Sequence, residues 1–568
     1  MGAAPTVAAG PRAETGRRVA AFEAALGDPA DPAGPLARPA VVAADREARL
    51  PPGAAELLDA AGLGAELVPV EHGGRFARTD VLARILRSVA RRDAALGLGL
   101  GIGQFAAAAH IWFAGERRQR DELAALLLRG GRIAMAPPEF AQANGLTQNR
   151  IRIRRDPAGG GLAVSGRKAV IPCVALADAL VVCADSGEAR PDWSAALLDA
   201  GTARKRGELL LVGRQPAAGL RALTVDGAVF EGLRAPATAL IGAAGSGLTQ
   251  ALSVIPLIHG VRASMALGTA DAALRMAVRY AFAEGQVAYS GAGTRRVRGR
   301  FADAFADLLL CDCLALAATR AVHLLPEEAA LYTAAAATLV PRILGETLND
   351  LSVVFGGRLF ERDSGHGLFE KHLRDLPALS GGHAGASVFH SIVVPRLPAL
   401  AARVWLREDP APAALFRPDD DLPPLAPLPV TGRAGDRLTA ELTAAADDVP
   451  DEARPLVGVL AQELRDLRAA CLDGRADSAD PRAFALADRY MLVLAAGAVV
   501  GAWRHGRGDD PFLSGPGWLV VTLARICRRL GIKVPAVGRD HREPVETQAL
   551  DRGEQARSYD LYGMELAG

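Results

Sequence analysis

His383 stands in the stretch DLPALSGGHAGASVF, where glycine, alanine and serine crowd around one bulky polar side chain. An imidazole, with an unperturbed pKa of ~6.5, can accept a proton near neutrality without an ionised resting form in an apolar pocket. That chemistry suits a general base. The same ring could instead satisfy backbone groups in a turn, and the residue types alone leave both readings open.

Other groups invite similar questions. RRVRGRF, from Arg295, sets four arginines in six residues before a helical run. It could receive a phosphate group, or be a solvated helix entrance. His259 and Arg262 lie three apart on one helical segment, where His259 could line a ligand pocket or be an ordinary core histidine. His366, in SGHG, has nothing metal-like near it. Cys173, Cys183, Cys311, Cys313, Cys471 and Cys527 lack zinc or redox spacing and read as small buried hydrophobes in a reducing compartment. GLGLGIG at 97–103 follows a helix rather than a strand, so it is not read as a dinucleotide fingerprint. The chain offers no metal site.

The elements that must position these groups follow from pattern. The 568 residues carry 65 basic and 64 acidic side chains, a balance with no global field for nucleic acid or an anionic membrane. Residues 1–39 read as a flexible tail rather than a signal peptide. Residues 40–132 read as a helical domain, with Thr79 as an N-cap and Val81, Ile85 and Val89 on one stripe. Short alternating runs such as NRIRIRRD and GLAVSGRKAVIP then argue for a small antiparallel sheet or barrel over 133–243.

Helical periodicity resumes over 244–406, with Pro341 an expected kink. A Pro-rich stretch, 407–435, reads as an extended linker, and 436–568 as a further helical domain. YMLVLAAGAVVGAW, the longest apolar run, has 14 residues, short of the roughly 18 needed to span a bilayer. A soluble, cytoplasmic protein is expected.

This order, with LVPVEHGGRF, GLAVSGRKAVIP…ADALVVCA, GVRASMALGTADAALRMAVRYA and VFGGRLF…KHLRDLP, resembles the acyl-CoA dehydrogenase family over about 40–405. The last helical unit resembles the extra domain of long-chain members and of natural-product relatives acting on carrier-bound acyl groups in secondary metabolism. The resemblance implies a mostly α fold with a β-barrel insert, in which an α domain, a β domain and a four-helix bundle precede an extra C-terminal helical domain. It implies a flavoprotein that desaturates an acyl thioester, on CoA or an acyl carrier protein, with FAD as hydride acceptor. A homodimer or homotetramer and an electron-transfer flavoprotein are the implied partners.

Residue by residue, the resemblance puts His383 where the family carries its catalytic carboxylate. Glu139, Asn144, Ile171, Gly356 and Gly357 fall where the family contacts flavin. Several positions depart from the pattern: Pro138 for threonine, Ala169 for the stacking tryptophan, Pro172 for a hydroxyl or amide residue, Glu284 for arginine and Val353 for glutamine. A flavin-dependent monooxygenase on the same fold, or a cofactor-free homologue acting as a partner subunit, therefore stand as alternatives.

Overall fold

The computed structural model describes residues 11–136, 150–156, 160–187, 192–287, 292–361, 366–380, 387–407, 409–418, 420–430, 435–475, 480–506 and 510–568. Only the longer helices are numbered below. The N-terminal domain contains α1 (Pro11–Ala25), α2 (Thr79–Arg92), α3 (Gly103–Ala114) and α4 (Arg117–Leu128). The stretch expected as a flexible tail thus folds from Pro11 onward. Val19, Phe22 and Leu26 are buried, and Glu23 reaches Arg91 and Arg92 at 2.9 and 3.0 Å.

Every residue of α2 is buried, against the one-sided stripe its sequence suggests. Thr79 is its first helical residue rather than its cap, and the Thr79 hydroxyl meets His323 Nε2 at 3.0 Å. The basic face of α2 is covered by the chain's last segment. Arg84 lies over the Tyr562 ring, 3.7 Å from its centroid, and Arg87 pairs with Asp312 and with Asp560. Burial would draw protons off Arg87 and Arg91, yet the surrounding carboxylates hold both above the usual arginine range.

Among the described residues eight strands form one sheet: β1 (Ile133–Ala136), β2 (Ile151–Arg155), β3 (Leu162–Pro172), β4 (Ala179–Asp185), β5 (Trp193–Asp199), β6 (Leu209–Arg214), β7 (Val225–Ala235) and β8 (Leu240–Ile241). Its order is β6-β7-β3-β2-β4-β5-β8, with β1 paired to β4 off this path. The sheet is mixed, because β1 and β2 both run parallel to β4. β4 is buried on both faces. Leu180, Val182 and Ala184 enter the β domain's own core, while Val181 and Cys183 join the helical core. That explains why ALVVCAD reads as an unbroken apolar run.

Beyond the sheet, α5 (Gly247–Ala283), α6 (Ala292–Leu324) and α7 (Ala329–Phe355) pack against one another, and α5 and α6 also pack against α2. The helix α7 runs on through Pro341, where the sequence suggests a kink. Two shorter helices follow, α8 (Gly367–Asp375) and α9 (Ser387–Val393). The C-terminal unit contains α10 (Arg454–Ala470), α11 (Pro481–His505), α12 (Gly517–Arg529) and α13 (Arg539–Glu554). It is tied to α6 by Arg525 and Arg529, which both pair with the buried Asp307. Burial opposes the Asp307 charge, but the two arginines hold its carboxyl below the usual range.

The Pro-rich linker is extended, as its composition suggests, but it is docked. Arg320, fully buried on α6, donates to the carbonyls of Ala414 at 2.7 Å and Asp420 at 2.9 Å while pairing with Asp80. Three helices, Ala94–Ala114, Gly247–Ala283 and Pro481–His505, are long and apolar enough to cross a membrane by length and composition. Their apolar windows are 83%, 67% and 72% buried inside the fold. YMLVLAAGAVVGAW is therefore the C-terminal part of a longer helix than its uninterrupted run suggests. The six cysteines are buried, with no disulfide among them. Burial pushes the Cys173 thiol up to about 11 and the Cys183 thiol to about 12.

Candidate active site

The first half of α5 carries Leu248, Leu252, Ile255, His259 and Arg262 at alternating steps of four and three, which places them along one face. Leu248 and Leu252, next to the β domain, are 44% and 41% exposed, whereas Ile255, His259 and Arg262 are half-buried. The His259 ring meets Phe389 of α9 edge-on, with centroids 4.7 Å apart. Burial first, and the Arg262 charge second, hold His259 well below the usual histidine range, so it is neutral. Burial also pulls Arg262 down to about 10. The Nε and Nη2 atoms of Arg262 are shielded from solvent and have no hydrogen-bond partner among the described residues.

A second polar group fixes the approach to this face. Lys371, on α8, donates to Asp93 at the end of α2 at 2.7 Å and pairs with Asp375. Asp375 in turn accepts from the backbone N–H of Leu220 at 2.6 Å. One buried triad therefore joins the N-terminal domain, the β domain and the bundle, just ahead of the turn Leu376–Ser380 that packs on α5 and α7. Burial alone would lower the Lys371 pKa, but Asp93 and Asp375 hold it raised. The RD pair of KHLRDLP is thus structural at its aspartate. Its arginine, Arg374, reaches Asp45 at 2.6 Å.

The residues singled out from the sequence fall unevenly. His383, Glu139 and Asn144 lie outside the described residues. The Ile171 side chain is fully buried in the β domain's core, so toward a ligand it offers only backbone. Gly356 and Gly357 are exposed at the end of α7, and a Cβ built on either meets nothing within 4 Å. Gly356 has φ +55° and ψ −137°, a conformation that suits glycine. His366 packs against Tyr280 and Phe355, with centroids 4.8 and 5.2 Å away.

These groups bear on whether a flavin fits. The glycine turn leaves backbone open to a phosphate. Glu284, which alone would repel one, pairs with Arg358 at 3.9 Å, so a cation stands directly after the glycines. No local signal singled out Arg358, because the pairing joins positions 74 apart in sequence. On the sheet, Ala169 is exposed and Pro172 half-buried, a small apolar surface in place of an indole. The phosphate end offers the glycine turn and one cation, Arg358, which is shared with Glu284, and the ring end rests on shape and backbone.

Two cavities lie away from this face. One of about 610 Å³ sits between α4 and strands β4, β5 and β7, with Leu123, Leu198 and Leu233 on its walls. Another, of about 310 Å³, holds the RRVRGRF arginines. There Arg295, Arg296, Arg300, Arg525 and Arg542 share the walls with Asp303, Asp307 and Asp350, so basic side chains outnumber acidic ones.

No family model matches the chain. Among curated proteins it is 24% identical to the probable acyl-CoA dehydrogenase FadE25 of Mycobacterium tuberculosis over 320 residues, which cover 56% of this chain and 81% of that protein. The acyl-CoA dehydrogenase of Bacillus anthracis, solved with FAD, superposes with a TM-score of 0.64 at 14% identity, covering 97% of this chain and 96% of that one. The chain has the acyl-CoA dehydrogenase fold. Butyryl-CoA dehydrogenase from Megasphaera elsdenii gives a TM-score of 0.57 at 18% identity, over 68% of this chain and 98% of that structure. The shared acyl-CoA dehydrogenase fold explains the β domain lodged between two helical units, and the longer Bacillus match extends it through the C-terminal helices.

Proposed function

We propose that this protein is an FAD-dependent, acyl-CoA dehydrogenase-like oxidoreductase that introduces a Cα–Cβ double bond into an acyl thioester. The carrying observation is the match to a family member solved with FAD over 97% of the chain. Gly356, Gly357 and Arg358 would hold the pyrophosphate, Ala169 and the Ile171 backbone would face the ring, and Glu139 and Asn144 complete the set by sequence position. Bound FAD supplies the acceptor for the hydride that leaves the β-carbon.

His383 takes the α-proton onto a ring nitrogen. The electron pair left on the α-carbon forms the new double bond as the β-hydrogen departs. A neutral imidazole does this without first losing a proton, which an apolar surrounding favours over a resting charge. The thioester is carried by CoA or an acyl carrier protein, and an electron-transfer flavoprotein is the proposed oxidant of the reduced protein. We place the protein in the cytoplasm as a homo-oligomer.

The test is absorbance of the purified protein between the near-UV and the blue, with and without added FAD, followed by turnover of an acyl-CoA. A yellow protein whose turnover collapses in His383→Ala is expected. Unchanged turnover in that variant removes His383 as the base, and a protein that takes up no FAD removes the flavin. Ala169, Glu284 and Val353 in place of the family's tryptophan, arginine and glutamine favour one second reading, a cofactor-free partner subunit. Copurification of a colourless chain with a flavin-bearing paralogue would select it.

A further inference from the structure

Arg262 is a half-buried cation whose Nε and Nη2 are shielded from solvent, with no hydrogen-bond partner for either atom and no ion pair among the described residues. Among the described residues no carboxylate perturbs it: burial is the sole influence on its ionisation, and the one charged neighbour that His259 senses is Arg262 itself. Between Gly247 and Ala270, α5 contains no acidic residue. Buried carboxylates of the elements packed around it are engaged elsewhere. Asp80 holds Arg320, Asp93 and Asp375 hold Lys371, Asp312 holds Arg87 and Asp307 holds Arg525. Buried charges in proteins are ordinarily paired, because an unpaired one loses hydration with nothing in return.

The surroundings say what the missing partner is like. The face that ends at Arg262 begins with two exposed leucines and continues through Ile255 to a neutral imidazole. A ligand laid along it meets apolar surface first and one guanidinium last. A dianionic phosphate would call for more than one cation. A single carboxylate on an aliphatic body matches both the charge and the apolar approach.

We infer that Arg262, flanked by His259, is an anion receptor for the carboxylate of an aliphatic ligand lying along the Leu248–Leu252–Ile255 face of α5. The substrate class this implies is an acyl compound bearing a carboxylate at the end of its chain away from the thioester. That last step rests on the dehydrogenase reading, whereas the receptor itself does not.

Octanoate and its neutral isostere octanamide are the probes, titrated into the full chain by calorimetry and by thermal shift at low salt. Octanoate should bind saturably and raise Tm, with octanamide weaker by roughly tenfold or more, as loss of a charge-assisted hydrogen bond predicts. In Arg262→Gln the preference should vanish, and the ligand-free variant should melt no lower than the parent because an uncompensated cation has been removed. Equal binding of the two probes, no binding of either, or a preference that survives in Arg262→Gln overturns the inference. The probe comparison on the unmodified protein stands even where the variant folds poorly. A colourless protein that still prefers octanoate defeats the flavin reading alone. A yellow, active protein without the preference defeats the receptor alone.

Discussion

Lys371 Nζ lies 2.7 Å from Asp93 Oδ1, joining the helix that precedes the Leu376–Ser380 turn to the end of α2 across 278 residues of sequence. Both side chains are essentially inaccessible, at 1% and 0% exposure, and Asp375 completes the group. Replacing Lys371 by Met would leave two carboxylates facing each other without a cation. Removing one partner of a buried pair typically costs about 3–5 kcal/mol. We expect a loss of that size in urea or thermal unfolding, and partial recovery when Asp93→Asn is added. A Lys371→Met protein as stable as the parent would show that the triad contributes nothing to the fold.

His372, the next residue, is fully buried, with neither ring nitrogen hydrogen-bonded among the described residues. Burial first and the Lys371 charge second push it down to about 3. Its folded pKa is therefore below the unfolded value of ~6.5. Between those values the unfolded chain binds a proton there and the folded chain does not, so stability falls as pH drops from about 6.5 toward 3. His372→Phe should remove about 1.4 kcal/mol per pH unit from that slope. Equilibrium unfolding of the two proteins across this range checks it, and parallel pH profiles would count against the account.

How far the sequence carried the fold depends on the range of the interaction concerned. The β insert and the three long helices were legible because alternation and 3.6-residue periodicity are local. The burial of α2 was not. Its arginines look like a solvated face until Asp312, Asp560 and Tyr562, more than two hundred residues away, are placed against them. The tail expected over residues 1–39 failed in the same way, since Phe22 and Glu23 find their partners only in the folded protein. At the site, the glycine turn at Gly356 could be read directly, whereas Arg358 as its companion and the unpartnered state of Arg262 are tertiary facts.

Gly99 sits in the wide helical turn Gly97–Ile102, where the N-terminal domain meets the β domain. A Cβ there would lie 2.8 Å from Cys173 Sγ and 2.8 Å from Leu223 Cδ1. Glycine is thus required for close approach, not for backbone conformation. Gly99→Val should overpack this contact and cost about 1–3 kcal/mol. Thermal unfolding reads the loss. Gly293, whose Cβ would meet nothing within 4 Å, provides the control, and Gly293→Ala should leave Tm unchanged or raised.

Arg320 bears the most on the linker. Its guanidinium is fully buried and bonds Asp80 together with the carbonyls of Ala414, Pro418 and Asp420. Arg78 adds a further bond to Pro418, and His323 donates to the Pro423 carbonyl at 2.9 Å. Proline supplies no N–H, so this segment cannot hold itself by regular backbone pairing and relies on donors from α6. Arg320→Met removes three of those donors at once and leaves Asp80 with Arg78 alone. Limited proteolysis should then cut between about 410 and 425 markedly faster than in the parent, before the rest of the fold is attacked. Cleavage there at the parental rate would mean that the linker is held by its apolar contacts, Leu415 and Phe416, and not by the arginine.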